Sequence, residues 1–383
     1  MKNKAQNSLG PETILARAMV LTPDGLKKGH LVMEDGLIKN IGNGSVPPGS
    51  LDLEEDFLIP GLVELHTDNM EKHLLPRPGI YWPEPGAAIL AHDAQLIGSG
   101  ITTVYDSICV GESVDKGRHV LLDLSLTALK ETEQYLRADH RIHLRCEISD
   151  PEMSQIFDTV CFHPKVGLIS IMDHTPGQRQ WRSLESYRMY YQNKSSDSEL
   201  EILTNKIRSN RDRYADVHLK KVSNFAGAHS VPLASHDDTL TEHITWALEN
   251  GAVISEFPTT MEATKAAYES GLAVAMGAPN LVRGASHSGN VTTLEVAKSG
   301  YLSYLSSDYV PSSLLSGAFK LSRDCDYDFW EAFKTVTENP ASLAKLTDRG
   351  RLEPGLRADV VRVTIMSGRP VVRSVWVSGQ RVY

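Results

Sequence analysis

The strongest constraint on the fold is a recurrence of apolar, strand-like runs through the middle of the chain, each followed by a helical or long connecting stretch. Eight such runs are read, at 62–68, 101–107, 141–149, 166–174, 231–236, 252–257, 272–278 and 302–308. Several follow glycines that can end a helix, as at Gly98-Ser99-Gly100, Asn250-Gly251, Ser270-Gly271 and Ser299-Gly300. A helix stopped by a C-cap glycine and then a buried strand accounts for each case. Strand–helix alternation is the pattern of a parallel α/β fold. Eight units over roughly 280 residues predict a (β/α)8 barrel. A doubly wound open sheet is the structural alternative, and the absence of a G-x-G-x-x-G or Walker loop after the first run weakens it.

The two ends read differently. Short strand-like patterns fill residues 13–57, with a hairpin signal at Asp35-Gly36, and two more strands lie at 358–363 and 371–377. They predict a small β-sandwich domain formed from both chain termini, 1–57 and 346–383, clasping a barrel domain at 58–345. The chain has 383 residues, 41% of them hydrophobic, enough for a large core. Its net charge of -9 argues against nucleic acid as a partner. No stretch approaches the ~20 apolar residues of a membrane span, and the first residues lack a signal core. Cys109, Cys146, Cys161 and Cys325 show no C-x-x-C spacing and read as free thiols. A soluble, cytoplasmic protein is expected. Two connections are long: 69–91, too rich in proline to read as helix, and 177–228, charged and partly helical. Loops of this length often cover an active site.

In such a barrel the reactive groups stand at the C-terminal strand ends, and inward residues come every second position. Strand one then presents His66 and Asp68 on one face. Strand three brings Glu147 inward near its end. Strand four ends on His174, strand five on His236 and strand eight on Asp308. Each has a plainer explanation: Glu147 could pair with Arg145, His174 could cap a loop, and Asp308 could cap the turn before Pro311. Six such residues at one mouth are better explained as a site for one or two divalent ions, with zinc, iron and manganese all suited to mixed N/O ligation. Glu147 is the residue expected to bridge two ions. His30, His119, His140, His163, His218 and His243 read as surface or packing residues.

Pro60-Gly61-Leu62-Val63-Glu64-Leu65-His66, the strand-end ligands and Gly355-Leu356-Arg357-Ala358-Asp359-Val360-Val361 resemble the amidohydrolase superfamily. Longer motifs are more specific: His66-Thr67-Asp68-Asn69 with Glu71-Lys72-His73, Asp173-His174-Thr175-Pro176-Gly177-Gln178, and 277–284 running into 286–290. These resemble the PhnM-type diphosphatases of the carbon–phosphorus lyase pathway, over nearly the whole chain. The resemblance implies hydrolysis of α-D-ribose 1-methylphosphonate 5-triphosphate to the 5-phosphate and pyrophosphate. It implies that His66, Asp68, Glu147, His174, His236 and Asp308 hold the metal, and that Asp308 accepts the proton of the attacking water. Asp68 stands where the superfamily commonly has a second histidine. A phosphorylated ribose needs cations and donors, and Lys72, Arg77, Arg179, Arg283, His287, Ser288 and Asn290 lie in loops after barrel strands. Homo-oligomerisation is left open. The rival readings are an amide or cyclic-amide hydrolase of the same superfamily, and a catalytically silent partner in a phosphonate-degrading assembly.

Overall fold

A computed structural model describes residues 12–44, 46–112, 118–181, 185, 187, 197–285 and 289–383. The N-terminal strands are β1 (Thr13–Thr22), β2 (Gly25–Glu34), β3 (Leu37–Gly42), β4 (Leu51–Asp52) and β5 (Phe57–Pro60). The barrel strands follow: β6 (Leu62–Thr67), β7 (Ile101–Val110), β8 (Asp139–Glu147), β9 (Val166–Met172), β10 (Leu233–His236), β11 (Ile254–Glu256), β12 (Ala273–Gly277) and β13 (Tyr304–Ser306). The chain ends in β14 (Val360–Met366), β15 (Arg369–Val377) and β16 (Gln380–Arg381).

β6 to β13 form one parallel sheet in strict sequence order, which no doubly wound topology gives. The sheet rounds on itself where Thr67 bridges Asp308, with the Thr67 hydroxyl and the Asp68 N–H both donating to the Asp308 carbonyl at 2.7 and 3.0 Å. The barrel therefore closes at its own mouth. Beneath this seam Glu64 accepts from the Ser306 hydroxyl at 2.9 Å and the Ser307 N–H at 2.5 Å, tying the first strand to the last. The interior filling is apolar lower down, with Val63, Leu65, Tyr105, Leu168, Ala234, Ile254 and Tyr304 buried together.

The terminal strands are hydrogen-bonded as one mixed sheet, in the order β16-β15-β14-β5-β1-β2-β3, with β4 beside β1. Leu15, Leu31, Met33, Leu58, Val360 and Trp376 give it a core of its own. Its remaining apolar residues, among them Ile59, Val361 and Val375, pack with the barrel helices. β5 passes into β6 through Gly61, where a Cβ would lie 2.1 Å from the Thr102 hydroxyl, so only glycine fits that approach.

Helices α1 (Asn69–Leu74) and α2 (Pro85–Gly98) follow β6. The proline count made 69–91 read as non-helical, yet Pro85 opens α2 at the first helical turn, where a missing N–H is harmless. Next come α3 (Arg118–Thr132), α4 (Met153–Val160) and the 33-residue α5 (Asp197–His229). Arg208 and Arg211 of α5 donate to the Pro176 carbonyl and the Asp173 carboxylate, at 2.9 and 2.7 Å. This long helix thereby brackets the loop that carries His174. The later helices include α6 (Thr241–Glu249), α7 (Met261–Glu269) and α8 (Ala278–Arg283). Among the described residues, no helix is long and apolar enough to cross a membrane.

Candidate metal centre

A cleft of about 200 Å³, open to solvent, occupies the barrel mouth and is lined by His66, Asp68, His174, His236 and Asp308. Five of the six expected ligands therefore meet there. Glu147 is placed differently: its carboxylate accepts from the His174 ring Nδ1 at 2.8 Å and the Ser149 hydroxyl at 2.6 Å. A carboxylate can only accept, so Nδ1 carries the proton and His174 Nε2 is left with a lone pair. His236 is fixed the same way, its Nδ1 lying 3.3 Å from Glu256. Both nitrogens that face the cleft are thus prepared as ligands by a carboxylate behind them.

Asp237 completes this set. It follows His236 with φ 55°, a backbone state uncommon for residues other than glycine. That turn places its Oδ2 3.5 Å from His236 Nε2 and 3.9 Å from His174 Nε2. Burial raises the Asp237 carboxyl to about 6. Burial opposes charge on His174, but Glu147 and Asp237 outweigh it and raise its pKa. A negative surround that attracts a proton to His174 Nε2 attracts a metal cation equally well. His174, His236 and Asp237 fit a divalent ion by donor type and spacing.

Across the cleft, Asp68 lies 3.9 Å from His66 Nε2 and 2.7 Å from Arg145 Nη1. Arg145 projects into the mouth rather than pairing with Glu147. Asp308 has φ 51°, and burial, reinforced by the Asp68 charge, raises its carboxyl to about 7.

The expected substrate residues divide. Arg283 and Asn290 line the cleft, and exposed Lys72 reaches its edge, donating to the carbonyl of the lining residue Tyr309 and lying 4.8 Å from that ring. Arg77 sits in an exposed turn and is not among the lining residues. His287 and Ser288 fall outside the described residues. Arg179 is a correction to the sequence reading. It is 5% exposed, and its Nη1 donates to the Ser235 hydroxyl, the His236 carbonyl and Asp238 Oδ1 at 3.1, 2.6 and 2.5 Å. It braces the turn that carries His236 and Asp237. Arg179→Met is expected to lower stability by about 3–5 kcal/mol in urea unfolding, because Asp238 is left buried without its cation. An unchanged unfolding midpoint with a raised KM would return Arg179 to ligand binding.

Sequence reasoning passed over Asp237, Glu256 and His143. Glu256 ends a run in which Ala252, Ile254 and Glu256 share a face, the same signal that marked Glu147. Asp237 left no such signal, since its aim depends on a left-handed turn.

The fold and this site define a (β/α)8 barrel with donors for a divalent metal at its mouth. Solved structures share the architecture: N-isopropylammelide isopropylaminohydrolase from Burkholderia multivorans has a TM-score of 0.64 at 18% identity, covering 97% of this chain and 98% of that one. N-acetylglucosamine-6-phosphate deacetylase from Pasteurella multocida has a TM-score of 0.65 at 12% identity, covering 97% and 99%. No family model matches the chain. The sequence is 39% identical over 378 residues to α-D-ribose 1-methylphosphonate 5-triphosphate diphosphatase of Escherichia coli (strain K12), covering 97% of this chain and 100% of that protein. The chain belongs to that diphosphatase family.

Proposed function

We propose that this protein hydrolyses α-D-ribose 1-methylphosphonate 5-triphosphate to the 5-phosphate and pyrophosphate, as a cytoplasmic step of phosphonate breakdown. The full-length 39% identity to the Escherichia coli diphosphatase carries the reading. The mouth is consistent with it. His174, His236 and Asp237 would hold a divalent ion, joined by Asp68, Asp308 and the Nε2 side of His66. Such an ion polarises a phosphoryl oxygen and makes water more acidic. Asp308, which lines the mouth at the end of the last barrel strand, takes the proton of the attacking water. Arg145 offers a fixed cation beside the reacting phosphoryl group. Lys72, Arg283 and Asn290 bind the rest of the triphosphate at the rim. Glu147 and Glu256 orient His174 and His236.

Phosphorus NMR of the ribosyl triphosphate with metal-loaded protein tests the reaction directly. Pyrophosphate is the expected product. Orthophosphate would move the cleaved bond, and an unchanged spectrum would favour an amide hydrolase. Arg283→Ala is expected to raise KM for the triphosphate by about 10–100-fold, the loss of one charged hydrogen bond. A truncated monophosphate should be little affected. Equal effects on both would remove Arg283 from phosphate binding.

A further inference from the structure

The arginines at and behind the mouth are partnered differently. Arg145 is held 2.7 Å from Asp68, and buried Arg179 lies 2.5 Å from Asp238. Arg283, the last residue of α8, lines the same cleft and forms no ion pair among the described residues. A guanidinium left without a carboxylate at a cleft wall is a receptor for an anion that arrives from outside. Asn280 stands three residues earlier on α8 and lines the cleft too. Residues three apart share one face of a helix, so both side chains can reach a single group.

The carboxamide of Asn280 is fixed in one orientation. Its Oδ1 accepts the Thr293 N–H at 3.1 Å, and the Thr293 hydroxyl donates to the Gly277 carbonyl at 3.0 Å. Thr293 is fully buried and opens α9 (Thr293–Lys298), whose start is held by a capping box between Thr292 and Glu295. α8 is anchored on its other side, where Ala278 and Leu281 belong to the core. A backbone N–H only donates, so the carboxamide oxygen is the atom turned to Thr293. Nδ2 is then turned away from α9 with two hydrogens to donate, and it has no partner among the described residues. Asn280 and Arg283 together present donors and no acceptor. A sugar hydroxyl or an amide, which must also donate, is matched there by half. An oxygen-rich anion is matched fully.

We propose that Asn280 is a substrate-binding residue whose Nδ2 donates, jointly with Arg283, to phosphate oxygens of the departing pyrophosphate. This deepens the hydrolysis reading above and rests on it. The substrate has two anionic ends, the triphosphate and the phosphonate. The metal donors and α8 line one cleft of about 200 Å³, so the group that meets α8 lies close to the phosphorus under attack. The pyrophosphate is bonded directly to that phosphoryl group, whereas the phosphonate stands across the whole ribose ring. The braced carboxamide is already set in its binding orientation, so little rotamer freedom is lost when the anion arrives.

The test uses the metal-loaded full chain and two variants. Asn280→Asp keeps an oxygen for the Thr293 N–H but turns the cleft-facing donor into a charged acceptor. Asn280→Ala removes donor and brace together. Asn280→Ala is expected to raise KM for the ribosyl triphosphate by about 10-fold, the loss of one hydrogen bond to a charged group. Asn280→Asp adds a like charge and is expected to raise it by about 100-fold, with kcat changed far less. Metal content and melting temperature of Asn280→Asp should match the wild type. Calorimetric binding of inorganic pyrophosphate should weaken in the same order, and binding of methylphosphonate should not. An unchanged KM in Asn280→Asp, a loss confined to methylphosphonate, or a KM change accompanied by lost metal would each overturn the assignment. Should Asn280→Ala not fold, Asn280→Asp decides alone. A wild type that binds pyrophosphate through Asn280 yet leaves the ribosyl triphosphate intact would keep this subsite and overturn the hydrolysis reading.

Discussion

Asp308→Asn is expected to reduce kcat by about 10²–10⁴-fold, the range associated with losing a positioned general base. Bound metal should fall little, because His174, His236 and Asp237 remain. The side chain is nearly isosteric, and the Asp308 main-chain carbonyl still receives Thr67 and Asp68, so the barrel seam is untouched. In the metal-free protein, burial and the nearby Asp68 raise this carboxyl to about 7. Turnover close to wild type with full metal content would assign the proton to another group.

Metal removal is expected to abolish turnover and also to reverse how stability depends on pH. In the metal-free protein Glu64 and Asp308 titrate near 7 and His140 near 9, all above their ordinary values. For Glu64 burial is the cause. For Asp308 it is burial and then Asp68. For His140 burial opposes the charge, but Asp106 and Asp93 outweigh it. Groups whose folded pKa is raised stabilise at low pH and lose that contribution as pH rises through the folded value. Below about 6.5 the buried neutral histidines His66, His143 and His236 act in the opposite sense and mask this trend. Above 6.5 they fall silent, so metal-free stability should drop between about pH 6.5 and 9. The slope is at most ~1.4 kcal/mol per pH unit for each titrating group. Reloaded protein should resist that drop below pH 8, since metal binds deprotonated ligands. A chelated protein whose melting temperature stays flat or rises across this window would refute the assignment.

Much of this arrangement was legible in the sequence. The glycine-punctuated repeats marked all eight barrel strands, and side-chain parity along them brought His66, Asp68, His174, His236 and Asp308 to one mouth. Parity also placed Glu147 correctly on its strand, but not its partner. Whether a carboxylate touches a metal or the far side of a histidine is a matter of one or two ångströms, which spacing does not encode. Asp237 was invisible for a different reason: β10 ends at His236, and the next residue leaves the alternation through a left-handed turn. Arg179 misled because a charged residue in a long connection normally faces water. Here Asp238, Ser235 and the His236 carbonyl, drawn together by the fold, supply the buried partners that make an interior guanidinium tolerable.

The seam between Thr67 and Asp308 has a consequence for biosynthesis. The two residues stand 241 positions apart, and the terminal sheet likewise pairs β5 with β14 across almost the whole chain. A ribosome therefore releases His66 and Asp68 long before the strand that completes their mouth exists. Through most of translation the first barrel strand has an unpaired edge and its polar ligands lack their setting. Loop closure of this length is slow and exposes edges to wrong partners. Metal capture, ring closure and the end of synthesis should then fall together, making the assembled centre a late checkpoint on whether the chain has folded.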